Sequence, residues 1–240
     1  MTFVTDHILT WVTFVPLAGA LLIWLAARSD ASARFMALGV AVVDLILSLH
    51  LVRHFNVTQA TDQFVEHVAW LAGGRISYSL GLDGVSLWLV ILTTVLGPLV
   101  ILSTWTAITH RVREAMGFLL FLQAAMIGTF LARDMLLFYI FWEAMLIPMY
   151  FLIGIWGGKR RIYASVKFFI YTMVGSVFML VAILYMSVQA GSMALADFML
   201  LDLGAEQQTW LFIAFALAFA IKVPLFPFHT WLPDAHVEAP

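Results

Sequence analysis

Two ionisable side chains stand where apolar helices should have none. Glu143 lies in the run Leu136–Trp156, and Lys222 lies in the run Trp210–Val223. An ionised group at membrane depth costs at least ~3 kcal/mol on insertion scales, so such residues tend to face a bundle interior and handle ions or protons. Glu143 is about eight residues into its run, roughly 12 Å at 1.5 Å per residue, too deep for a short carboxylate to reach water. A carboxylate balanced between burial and a neighbouring cation can change protonation during turnover. The alternative is a structural ion pair or a protonated helix–helix hydrogen bond. Lys222 lies about 13 residues into its run, again near mid-membrane. Pro224 cannot donate to the carbonyl of Ala220, nor Pro227 to that of Val223. Lipid offers the freed carbonyls no partner, and broken helices at this depth tend to line cavities. Lys222 also stands at the negative end of its half-helix. Snorkelling is the alternative, for which the position is too deep.

Tyr163, Lys167, Tyr171 and Gly175 recur every four residues and form one polar-tipped stripe. Lys167 stands about one and a half turns inside its span. It reads as an entry relay to Glu143 or Lys222, with snorkelling as the alternative. His229 and His236 flank Trp231-Leu-Pro-Asp-Ala235 just after the break. Histidine is a natural proton shuttle near neutral pH, and a relay role stands here against interfacial capping. Asp234 is the weaker candidate beside them. The histidine spacing fits no zinc motif and the chain has no cysteine, so no metal site is expected. Asp44, one turn from Ser48 with no cation beside it, reads as a structural polar group, and Asp134 as a helix N-cap. Gly154, Gly157, Gly158, Gly175 and Ser176 suit close helix packing. The sequence has no GxGxxG, P-loop or paired mid-span histidines, so no nucleotide, flavin or haem site is expected on it.

The elements that position these groups follow from composition. The chain has 240 residues, 63% hydrophobic and only 11% charged, which is a polytopic membrane protein rather than a soluble domain. A net charge of -2 is too small to imply a nucleic-acid partner. The absence of cysteine excludes disulfides and cysteine-ligated iron–sulfur clusters carried by this chain alone. Met1–Thr10 has no Lys or Arg and no small-residue cleavage site follows, so the first apolar run is read as a retained helix. Spans are expected near His7–Ala27, Arg34–Phe55, Gly84–Thr109, Glu114–Leu131, Met135–Trp156, Tyr163–Val188 and, interrupted, Thr209–Val223.

The first, third and fifth connections carry Arg28/Arg34, Arg111/Arg113 and Lys159/Arg160/Arg161, whereas the sixth is acidic, with Asp197, Asp202 and Glu206. The odd connections are therefore expected in the cytoplasm and the N-terminus on the opposite, periplasmic face. In the connection Asn56–Asp83, Arg75–Leu82 alternates polar and apolar residues after Gly73-Gly74, which suggests a short periplasmic hairpin; an ordered coil is the alternative. The end at Ala239-Pro240, without a polar tail, is read as that of a fragment.

Four segments carry a resemblance: Leu82-Asp-Gly-Val-Ser-Leu-Trp88, Phe141–Gly158 with its Glu-x-x-x-x-Pro-Met run, Lys167–Ser176 and Ala220–His236. They resemble the subunit M branch, counterpart of the mitochondrial fourth membrane-encoded chain, of the antiporter-like family in proton-pumping NADH:quinone oxidoreductase (respiratory complex I). The Glu-x-x-x-x-Pro-Met run favours this branch over the L and N paralogues. The resemblance implies an all-α antiporter-like helical bundle with a discontinuous seventh helix. It implies about fourteen helices in the whole family member, including two inverted five-helix repeats. Residues 1–110 would hold helices 1–3 with the loop 56–83. Residues 111–240 would hold helices 4–7, most of the first proton-channel repeat.

By resemblance, Glu143 takes the place of the family's fifth-helix glutamate, Lys167 of its sixth-helix lysine and Lys222 of its broken-helix lysine. His229 and His236 fall in the linker after the break. The family's later lysine and distal glutamate are not in this sequence. The implied function is proton translocation in the membrane arm, coupled to electron transfer from NADH to quinone through a buried Glu–Lys pair. FMN, iron–sulfur clusters, NADH and quinone would sit on other subunits. The implied partners are the L-like and N-like paralogues, other membrane-arm subunits, lipid and protons. The implied location is a bacterial inner membrane, or the mitochondrial inner membrane if the chain is organellar. A subunit of a Na⁺/H⁺ antiporter complex, a hydrogenase-linked pump and a purely structural membrane subunit remain alternatives.

Overall fold

The computed structural model describes residues 6–240; the first five residues of the N-terminal stretch lie outside the described residues. Among the described residues, six helices are long and apolar enough to cross a membrane, as a multi-pass membrane protein requires; they match the first six expected spans, and the interrupted run Thr209–Val223 is not among them. The chain forms two compact units, Met1–Val68 with Tyr78–Arg133, and Ala69–Ser77 with Asp134–Pro240.

The first unit contains α1 (Ile8–Ala26), α2 (Asp30–His54), α3 (Gly84–Ala107) and α4 (Val112–Leu131). α2 buries Ala33, Ala37, Ala41, Asp44, Ser48 and Leu51, a stripe at helical spacing whose upper half is all alanine. Small side chains let helices approach closely where lipid provides no hydrophobic drive for association. Gly117 of α4 does the same for α1, since a Cβ there would collide with the Trp24 indole. Asp83 caps α3, accepting from the N–H groups of Val85 (2.9 Å) and Ser86 (2.7 Å). Arg133 clamps the base of the unit with two bonds to Asp62 at 2.7 and 2.8 Å and one to Asp83 at 3.2 Å.

The expected hairpin is present, as β1 (Gln63–Leu71) and β2 (Ile76–Leu82) joined by a tight turn at Ala72–Gly74. Gly73 and Gly74 hold φ of 68° and 91°, a region that favours residues without Cβ. Glu66 of β1 is buried and reaches the N-terminus of α1, accepting from the N–H groups of Leu9 (2.7 Å) and Thr10 (3.2 Å) and from the Thr10 hydroxyl. A carboxylate there complements the positive end of the helix.

The second unit contains α5 (Met135–Ala144), α6 (Leu146–Trp156), α7 (Arg161–Ala190), the short α8 (Leu195–Met199), α9 (Ala205–Lys222) and α10 (Trp231–Glu238). The expected fifth span Met135–Trp156 is present as one long apolar run, bent at Met145 where α5 meets α6. Pro148 explains this: it has no N–H for the carbonyl of Ala144, and its ring crowds that carbonyl. The next bonds are stretched, Met145 N–H to Phe141 at 3.3 Å and Met149 N–H to Met145 at 3.4 Å. The expected break follows Lys222, where the Pro-rich segment folds into a tight turn at Phe228–Thr230 and then α10. Pro233 is accommodated because it lies in the first turn of α10, where an N–H has no helical partner.

Asp134 caps α5 as expected. It is fully buried, and its Oδ1 accepts from Leu136 (3.0 Å) and Leu137 (3.1 Å) N–H. Its Oδ2 accepts from the Ser77 N–H (2.8 Å) and hydroxyl (3.1 Å). Asp134→Ala orphans several buried donors and should cost about 2–4 kcal/mol. The measurement is the fraction of subunit that stays assembled on heating in detergent; Asp134→Asn should lose less than alanine.

Candidate functional site

The second unit assembles the ionisable residues around the two helix breaks. Glu143 is the penultimate residue of α5, just before the break forced by Pro148. Its Oε1 is buried and has no hydrogen-bond partner. The polar group beside the carboxylate is the Ser176 hydroxyl of α7, which also neighbours Tyr139. That hydroxyl donates to the carbonyl of Met173 at 2.9 Å, so its proton is committed to its own helix. The sequence marked Ser176 only as a small packing residue; its proximity to Glu143 depends on helix packing.

Lys222 is the last residue of α9, at the negative end of the helix as expected. Its Nζ lies 4.9 Å from the Trp142 ring centroid, a cation–π contact. Trp142 is in turn held edge-on by Phe219, with ring centroids 5.5 Å apart. Lys222 and Glu143 are close enough to act on each other electrostatically. Among the described residues, however, the ion pair within this unit is a different one, between Lys167 and Asp234.

The break after Lys222 is resolved within the protein. The carbonyl of Ala220, denied a donor by Pro224, accepts from the Leu225 N–H at 2.8 Å. That shift takes Leu225 away from the carbonyl of Ile221, which accepts instead from the indole Nε1 of Trp231 at 2.8 Å. Trp231 is buried against Phe168 of α7, with ring centroids 5.3 Å apart. One tryptophan therefore both satisfies the break and anchors it. The Val223 backbone, facing Pro227, belongs to an exposed residue.

The stripe on α7 meets this segment along its length. Lys167 Nζ donates to Asp234 Oδ2 at 2.7 Å and lies 5.6 Å from the Tyr163 ring. The Thr230 hydroxyl bonds Tyr171 at 3.1 Å. Gly175 packs on Ile221, where a Cβ would lie 2.9–3.2 Å from its side chain. Asp234, the weaker candidate by sequence, is thus the direct partner of Lys167. His229 has a buried Nδ1 without a hydrogen-bond partner and packs near Phe226, ring centroids 5.7 Å apart. His236 is exposed.

Residues 132–240 match the family model described as NADH:quinone oxidoreductase/Mrp antiporter, TM. "NADH-quinone oxidoreductase subunit M" of Rhodobacter capsulatus is 46% identical over 98% of this chain and 49% of its own length. A chain of respiratory complex I from Thermus thermophilus with bound NADH superposes with TM-score 0.82 at 32% identity, over 96% of this chain and 47% of that one. A chain of the Mrp complex from Dietzia sp. DQ12-45-1b superposes with TM-score 0.83, over 96% of this chain and 25% of that one; at 24% identity it speaks for the fold alone. The chain spans about half the length of the curated relatives it matches.

Trp231→Phe keeps the ring but removes the donor to Ile221, which should cost about 1–3 kcal/mol for the orphaned carbonyl. Hydrogen exchange across Ala220–Leu225 should rise, while exchange in α6 stays unchanged. Gly175→Val should wedge α7 from α9 and raise hydrogen exchange in the last turn of α9, with Gly175→Ala intermediate.

Proposed function

We propose that this chain, which belongs to the family of antiporter-like membrane subunits shared by NADH:quinone oxidoreductases and Mrp antiporters, is part of a proton-translocating membrane-arm subunit of an NADH:quinone oxidoreductase. Residues 111–240 form most of its first proton-channel repeat, with the N-terminus on the periplasmic side of an inner membrane. Its partners are other membrane-arm subunits, the L-like and N-like paralogues among them. NADH, FMN, iron–sulfur clusters and quinone belong to other subunits.

The observation that carries the proposal is a buried carboxylate oxygen on Glu143 without a hydrogen-bond partner, in the field of a lysine it does not directly bond. A purely structural glutamate at this depth would be expected to have its oxygens satisfied. Two unit charges at about 4 Å and an effective dielectric of ~20 interact by about 4 kcal/mol, roughly three pKa units. Making or breaking the Glu143–Lys222 pair therefore decides whether the lysine holds or releases a proton. Trp142 stabilises the cation when the pair is apart. Lys167, paired with Asp234, serves as a neighbouring proton relay, and His229 and His236 continue it beyond the break.

A second reading, Na⁺/H⁺ antiport, rests on the family description, which names Mrp antiporters beside NADH:quinone oxidoreductases. The readings separate in membrane vesicles carrying the full-length subunit in its assembled complex. Glu143→Gln should lower NADH-driven proton pumping and quinone reduction together by tenfold or more, estimated from loss of about 1.4 kcal/mol or more of coupling. Wild-type pumping in Glu143→Gln would reduce the residue to a hydrogen-bonding structural group. Transport that needs sodium and proceeds without NADH oxidation would favour antiport.

A further inference from the structure

The first unit holds a buried carboxyl group of its own. Asp44, in the middle of α2, is fully buried. α1 and α3 contain no charged residue. On α2 the nearest charged residues are Arg34 and Arg53, and on α4 they are Arg113 and Glu114 in the first turn. At 1.5 Å per residue, each of these four lies about 13 Å or more along its helix from Asp44 or from the contact residue Gln123. The titratable His50 of α2 lies about 9 Å along the helix and packs against His54, ring centroids 4.0 Å apart. The described hydrogen bond to Asp44 comes from Gln123 of α4, 2.6 Å from Oδ2. Oδ1 is buried with no partner.

The surrounding polar groups are occupied. Ser48 and Thr94 bond each other at 2.7 Å, and their hydroxyls also reach the carbonyls of Leu45 (2.9 Å) and Ile91 (3.1 Å). Gly97 of α3 makes room for Gln123, because a Cβ there would collide with its amide. An ionised Asp44 would thus hold a full charge at lipid depth with a single neutral donor, the costliest arrangement available. A protonated Asp44 needs one acceptor, and the Gln123 amide supplies its oxygen by turning over, since its oxygen and nitrogen occupy equivalent positions. Oδ1 is then the carbonyl oxygen of a neutral acid, less costly to leave bare than a charged one.

We propose that Asp44 binds a proton and donates it to the Gln123 amide oxygen, giving the first unit a proton-holding site on α2 and α4. The site is independent of the Glu143–Lys222 proposal.

Infrared spectroscopy of the assembled complex at neutral pH tests this. A carboxylic-acid C=O band sensitive to D₂O should be present, lost in Asp44→Asn and shifted in Gln123→Leu. If Asp44→Asn removes only carboxylate bands, the proposal is overturned. Should that variant fail to assemble, an apolar carbodiimide, which adds to protonated carboxyl groups, decides on wild-type membranes. Peptide mapping should find Asp44 labelled, with labelling falling as pH rises and indifferent to sodium chloride. No labelling at low pH, or protection by sodium at constant pH, would refute a bound proton.

Discussion

A backbone carbonyl that loses its helical donor inside a membrane must find a replacement in the protein, because hydrocarbon offers none. This constraint organises the second unit. Pro224 displaces the N–H of Leu225 onto Ala220, and the displaced need is met by the indole of Trp231. The rescue fixes Trp231 against Phe168 and so fixes the segment that carries Asp234 and His229 against α7. The chain's geometry around Lys222 is thus a consequence of where one side-chain donor has to go.

Ionisable groups show the same accounting with two outcomes. Lys167 and Asp234 satisfy each other at 2.7 Å, at the partly exposed edge of the unit. A pair in that setting contributes little net stability and mainly fixes position. Glu143 and Lys222 lie deeper and are left without a direct bond, with the lysine resting on an aromatic face. Unsatisfied polar atoms in a low-dielectric setting are costly, and Glu143 Oε1 is one of them. The two proline-induced breaks place both groups beside loosened backbone, which is where small rearrangements cost least.

The fold itself is permissive. Chains of similar architecture occur in respiratory complex I and in the Mrp complex, and with the latter, at 24% identity, only the fold is held in common. Function therefore rests on particular side chains rather than on the arrangement of helices. Identity of 46% to a subunit M sequence narrows the family far more than shape does.

Much of this was legible in the residues. The first six spans follow from apolar runs, the hairpin from alternation after Gly73-Gly74, and the cap at Asp134 from its place before Met135, because each depends on local sequence alone. Glu143, Lys167 and Lys222 were conspicuous because a charge in an apolar run has few harmless explanations. The bend at Met145 within the fifth span is equally local, since Pro148 removes a donor there, yet length and hydropathy do not register a missing donor. What only the tertiary structure decided are the partners: Asp234 for Lys167, the Trp231 indole for Ile221, Ser176 beside Glu143 and Gln123 for Asp44. These join residues from different helices, and their meeting depends on how small side chains let those helices close on one another. Sequence determines which groups must be satisfied; packing determines by whom.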